Sequence, residues 1–278
     1  MTLTLPAVEH RRTTLAAAGC ELREADGAAP TFVGHAAVFD TRTAIGNPLT
    51  WGFYEEIARG AASKTISEGD ARFLVDHDTS KPISRVSAGT LRLAEDRVGV
   101  AVDSDLNTAK TYVADLVENL RDKTITGMSI GFRVIRDEWR TEQVETSDGQ
   151  TAEVEVRRIL ELQLFEVSAV TFPAYESTDA GLRAAVSADE LAVADVAAAL
   201  VRRGDLAAFE RRAALLPALA DFRDLMPTRA PAEATRGAEE EPGAPTPTVD
   251  VTARMRGLAA RYRLPLEALT NQPKEGTA

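Results

Sequence analysis

The chain has 278 residues, long enough for one domain with a full core plus segments outside it. A net charge of −11 sets its surface against a phosphate backbone, so no nucleic-acid partner is expected. Its single cysteine, Cys20, excludes an internal disulfide and a cysteine-clustered zinc site.

No run of about 18 residues is apolar and free of charge. The opening MTLTLPAVEHRR has no basic region ahead of its apolar residues, and Pro6 and Glu9 interrupt them. The expectation is a soluble, cytoplasmic protein with no membrane partner.

In chain order, CELRE, a turn at Ala25-Asp26-Gly27 and TFVGHAAVF read as a first hairpin, because Asp-Gly tolerates the positive φ of tight turns. WGFYEEI and a short helix over residues 61–67 follow. ARFLVDHD then predicts a strand ending at His77. In GTLRLAEDRVGVAVDSDL, Leu91 and Leu93 alternate on one arm and Val98, Val100 and Val102 on the other, which predicts a second hairpin about Glu95-Asp96. Tyr112, Val113, Leu116, Val117 and Leu120 fall at helical spacing, with Asn107 or Thr108 as N-cap. FRVIRDEWRTEQVE, a turn over residues 147–150, and TAEVEVRRILELQLFEVSAVTF predict a long hairpin and a further strand that Pro173 ends. Mostly antiparallel strands with one or two helices point to a closed barrel or a heavily curved sheet.

The composition changes near Ser177. Residues 187–222, rich in alanine, leucine and charge, predict helices broken at Gly204 and Pro217. Residues 227–250, dense in proline, glycine and glutamate, predict disorder, and a last short helix is expected within 252–269.

Gly127-Met128-Ser129-Ile130-Gly131 satisfies the G-x-S-x-G pattern of a hydrolase nucleophile elbow. An elbow needs a strand before the serine, a helix after it, and a histidine later in the chain. Here the order is reversed, because a helix precedes Ser129, a strand follows, and His10, His35 and His77 all lie upstream. An α/β-hydrolase is therefore excluded. Serine chemistry is not, since a triad is defined by geometry and not by order. Of the three histidines, His77 in LVDHD lies at a strand end between Asp76 and Asp78, His35 lies mid-strand, and His10 belongs to the terminal arm.

The blocks FVGHAAVF, FLVDHD, GTLRLAEDRVGVAVDSDL, ITGMSIGFRV and LFEVSAVTFPAY, in this order and spacing, resemble the prohead protease family of tailed bacteriophages. These are capsid-maturation serine peptidases, and the likeness spans about residues 20–180. It implies His77 as general base and Ser129 as nucleophile. It also implies an orienting glutamate, best matched by Glu166, with Glu161 second and Asp76 third. The family is similar in fold to herpesvirus assemblins, so an α+β fold built on a mostly antiparallel β-barrel with surrounding helices is expected. The organisation expected is an N-terminal arm (1–19), a protease domain (20–180), a helical segment (181–226), a disordered linker (227–250) and a tail (251–278).

The resemblance further implies endoproteolysis inside the procapsid in the host cytoplasm. The partners would be the major capsid protein with its scaffolding domain and the enzyme itself, with no cofactor. Gly131 is a candidate for close chain approach at an oxyanion site or for a bulge, and Arg85 and Arg133 are candidates for charge near it. One rival is a non-catalytic assembly factor on the same fold. Another is a metal hydrolase using His77 with Asp76 and Asp78, which is weak because adjacent acids lack zinc spacing.

Overall fold

The structure, a computed structural model, describes residues 8–24, 29–146, 148–172 and 188–226. The chain divides into two compact units, one running from Val8 to Ala188 and one containing the chain from Asp189 onward.

In the first unit the hairpin signals materialise as two sheets. The smaller has four strands in the order β2 (Glu21–Arg23), β3 (Thr31–Val38), β9 (Gly99–Asp105) and β8 (Leu91–Glu95), all antiparallel. The larger has seven. Its path is β1 (Glu9–Thr14), β10 (Gly127–Glu145), β11 (Thr151–Val170), β5 (Phe53–Ile57) and β4 (Thr43–Ile45), with β6 (Arg72–Val75) also on β11 and β7 (Asp78–Arg85) on β6.

The long hairpin β10–β11 is the axis of this sheet. Residues 151–170 form one strand of 20 residues, where a hairpin arm and a further strand were expected. It accepts β10 along one edge, while β5 (at 156–159) and β6 (at 166–169) share the other, both parallel to it. Because β1, β4, β7, β2 and β8 are left as edges, the described strands make two open sheets and not the closed barrel expected. Alternation along each strand specifies a buried face but not the partner of an edge, so closure could not be read from it.

The core is aliphatic with a few phenylalanines. Phe32 of β3 and Phe73 of β6 meet at 5.2 Å between ring centroids, joining the sheets, and Ser84 and Ser104 share a buried hydrogen bond of 2.7 Å. Helix α1 (Ser63–Glu68) and helix α2 (Thr111–Arg121) flank them, α2 burying Val113, Leu116 and Val117 as its spacing predicts. The expected cap is displaced. Lys110 is the N-cap without a side-chain bond, because Asn107 Oδ1 instead accepts from Ala109 N (3.1 Å) in a turn that precedes the helix.

The second unit holds α3 (Ala188–Arg203), α4 (Leu206–Leu215) and a 3-10 helix at Pro217–Leu225. The breaks fall where expected: Gly204 takes φ +69, Asp205 caps α4 through Ala208 N, and Pro217 opens the 3-10 helix. The predicted disorder over 227–250 and the helix within 252–269 lie outside the described residues.

Candidate active site

His77 is not on a strand. It is the second residue of a two-residue hairpin loop between β6 and β7, closed by the Val75–Asp78 pair, with φ of 48° at Asp76 and 60° at His77. Positive φ at both central residues is the type I′ requirement, and each non-glycine residue held there costs of order 1–3 kcal/mol, with Asp and His among the residues that adopt it most readily. The surroundings enforce it. Asp76 N donates to Ala169 O (2.9 Å), the Asp76 carboxylate accepts from Thr171 N and Thr171 Oγ1 (both 2.9 Å), and His77 N donates to Ser168 Oγ (3.2 Å). Since β6 lies parallel to β11 in this stretch, the loop emerges beside Ser168 and Glu166.

There His77 Nδ1 and Glu166 Oε1 form a hydrogen bond of 2.6 Å. Glu166 is 9% exposed, and its other oxygen accepts from Ser168 Oγ at 2.6 Å, so a nearly buried carboxylate has both oxygens satisfied. What gives it room is a missing atom. Gly131 sits directly across from Glu166, and a Cβ there would lie 2.3 Å from Glu166 Oε1. The sequence reading offered Gly131 for an oxyanion site or a bulge. The space it leaves is filled by the carboxylate.

Register places Ser129 opposite Ser168, two residues from Gly131 and so on the same face. Ser129 is fully buried. Neither Ser129 Oγ nor His77 Nε2 finds a hydrogen-bond partner among the described residues, although both atoms are buried. The structure thus joins His77 to Glu166 but does not close a hydrogen bond from His77 to Ser129. Catalytic hydrogen bonds are commonly loose before substrate tightens them.

The other candidates are engaged elsewhere. Glu161 lies 3.9 Å from Lys64 Nζ, and Asp76 belongs to Thr171. Arg85 is held by Asp70, its Nε at 2.7 Å, and that guanidinium keeps the Asp70 carboxyl well below the usual carboxylate range. The Arg133 guanidinium lies 5.4 Å over the Phe165 ring. His35 is structural, bridging Ala18 O (3.2 Å) and Asp96 Oδ2 (2.9 Å).

His10 corrects the sequence reading. Assigned there to a terminal arm, it sits in β1, paired with Gly131 of β10, with its ring 4.3 Å from that of His77 at 66° and its Nε2 3.8 Å from Glu166 Oε1. Desolvation first, then the charges of His77, Arg12 and Arg11, push its pKa far below the ordinary histidine value. The alternation EHRRTT, short and polar, gave no strand signal. Its edge pairing comes from buried ions on the opposite face. Glu9 and Arg11 meet the fully buried Arg157 and Glu55, with Arg157 Nη1 2.8 Å from Glu9 Oε2 and Arg11 Nε 2.5 Å from Glu55 Oε1.

The rival metal set His77, Asp76 and Asp78 does not form, since Asp78 Oδ1 accepts from Ser80. Instead His10, His77 and Glu166 offer ligand atoms within 4.8 Å of one another. Two histidines and a carboxylate are a zinc-type donor set, but using His77 Nδ1 would break its 2.6 Å bond to Glu166.

Residues 19–194 match the model of the family described as caudovirus prohead serine protease. The prohead protease of Enterobacteria phage HK97 is 28% identical over 166 residues, 59% of this chain and 64% of that relative, so the chain spans less than two thirds of its length. Among solved structures, the bacteriophage T4 capsid assembly protease gp21 aligns with a TM-score of 0.36 and 11% identity, covering 60% of this chain and 99% of that one.

Proposed function

The chain belongs to the caudovirus prohead serine protease family, and on that premise we propose that it is a serine endopeptidase of capsid maturation in which Ser129, His77 and Glu166 are the nucleophile, general base and orienting acid. The observation that carries the assignment is the 2.6 Å bond between His77 Nδ1 and Glu166, the contact an orienting carboxylate makes to an Nδ1–H imidazole, which in this reading leaves the Nε2 lone pair to receive a proton.

In this reading a peptide carbonyl is attacked by Ser129 Oγ as His77 Nε2 takes the hydroxyl proton. The imidazolium is stabilised by the buried carboxylate, and the proton passes to the leaving amine, freeing the new N-terminus. Water, deprotonated by the same nitrogen, then hydrolyses the acyl-enzyme and restores Ser129. In this reading substrate binding closes the serine–histidine contact, for which Ser129 Oγ and His77 Nε2 both stand without a hydrogen-bond partner among the described residues.

The substrates we propose are the scaffolding domain of a major capsid protein and the enzyme itself, cleaved within the procapsid in the host cytoplasm. Among the described residues no helix is long and apolar enough to cross a membrane. The segment following residue 187 would serve as a targeting or self-removed appendage.

The deciding experiment is Ser129→Ala, scored on scaffold-bearing capsid protein and on self-cleavage. The expected loss is about 10⁴-fold or more. Undiminished cleavage sinks the nucleophile assignment, while a wild-type chain that never shortens and never cuts capsid protein favours the non-catalytic assembly role.

A further inference from the structure

Strand β1 precedes the family-matched segment, which begins at residue 19, yet it is paired to the strand of Ser129 and delivers a histidine to the site. We propose that His10 is a positioning residue of the protease reaction, its ring packing on His77 and holding that imidazole in the orientation that keeps Nδ1 on Glu166. The inference rests on the reading of His77 as general base.

Two cross-strand rows share one face of the sheet. Arg12, Ser129 and Ser168 make one, and His10, Gly131 and Glu166 the other. Gly131 contributes no side chain, so His10 and Glu166 reach toward each other across it, and His77 descends on them from the β6–β7 loop. A hydrogen bond at Nδ1 alone leaves an imidazole free to rock about its side-chain torsions. An edge-to-face ring at 4.3 Å removes that freedom without competing for the bond, since His10 Nε2 at 3.8 Å from Glu166 Oε1 is beyond hydrogen-bond range.

The support for His10 is itself rigid. On the reverse face of β1, Glu9 is 2% exposed and takes two contacts from Arg157, at 2.8 and 3.1 Å, and one from Arg11 at 2.6 Å. Arg11 also binds Glu55, so both neighbours of His10 are locked into one buried ion cluster. A strand fixed this way on one face presents a fixed ring on the other, as a precise catalytic constellation needs. The N-terminal strand is therefore a component of the active site, supplied from outside residues 19–194 that match the family model.

The test uses the full chain with His10→Ala and His10→Phe. Ser129 reactivity is read by the rate of labelling with a fluorophosphonate, whose phosphorus takes the serine oxygen as fluoride leaves. The His77 ring is read by nitrogen-detected NMR of labelled histidine. Displacing a catalytic group by about 1 Å can cost on the order of 100-fold, so His10→Ala is expected to slow labelling at least about 10-fold and to turn a single His77 tautomer into a mixture. His10→Phe, which keeps a ring, is expected to restore both. Wild-type labelling in His10→Ala, or slowed labelling with an unchanged His77 spectrum, overturns the proposal. If His10→Ala does not fold, His10→Phe decides: a folded variant with labelling slowed about 10-fold or more overturns it. Should Ser129→Ala still cleave capsid protein, the functional reading fails separately, and the His77 spectrum still reports whether His10 holds the ring.

Discussion

Gly131→Ala separates activity from stability more cleanly than removal of any polar group. The added Cβ would meet Glu166 Oε1 at 2.3 Å, Cδ at 3.0 Å and Cγ at 3.1 Å, against ordinary contact from 3.4 Å. The carboxylate oxygen must therefore retreat by about 1.1 Å. It cannot keep a 2.6 Å bond to His77 and another of 2.6 Å to Ser168 while doing so. A misplacement of about 1 Å is worth roughly 100-fold in rate, and full loss of an orienting acid about 10⁴-fold, so the variant should lie between those values. The backbone has no objection to alanine, because Gly131 is a strand residue outside the left-handed region. Alanine even recovers part of the roughly 0.5–1 kcal/mol that an interior strand glycine costs, which offsets strain at the carboxylate. The assay pairs initial rates of capsid-protein cleavage with thermal unfolding. A variant with near-wild-type Tm and wild-type rate would refute the claim that this glycine exists to make room for Glu166.

Arg157→Met should destabilise the fold by about 3–5 kcal/mol in chemical denaturation, because it removes the buried cation that Glu9, Glu55 and Asp137 share and leaves Glu9 and Glu55 to share Arg11. Ser168→Ala removes the donor to Glu166 Oε2 and the acceptor for His77 N, so it should cost about 1–3 kcal/mol and lower kcat more than it raises KM. Asp96 is held at about 2 by its bond from His35 and by the Gly99 and Val98 amides. A depressed carboxyl contributes stability that is complete above its ordinary value of 3.8 and lost as pH falls through 2, so Asp96→Asn should flatten the acid limb of an unfolding-versus-pH curve over that window. Burial raises the Cys20 thiol to about 11, so alkylation at neutral pH should be slow in the folded chain and fast after denaturation.

The local elements were legible because their causes are local. Alternating valines and leucines made β8 and β9, helical spacing made α2, and Gly204 and Pro217 stopped the tail helices where they stand. The blocks around His77, Ser129 and Glu166 were enough to point to the family whose model matches residues 19–194, and the elbow reading of GMSIG failed on chain order alone. Other features depended on partners distant in sequence. The Asp-His pair looked like a strand end, and only its bonds with Ala169, Thr171 and Ser168 fold it into a left-handed turn. Glu166, Glu161 and Asp76 could be ranked only by resemblance, and register sets the first of them against a glycine and a histidine. His10 carried no signal at all, because a six-residue polar strand is held through Glu9 by an arginine 148 positions later, and its partner residue is fixed by pairing across the sheet. Composition and periodicity decide which residues are buried and which segments are regular. Which side chain faces which across a sheet is decided by register, and register is a property of the assembled fold.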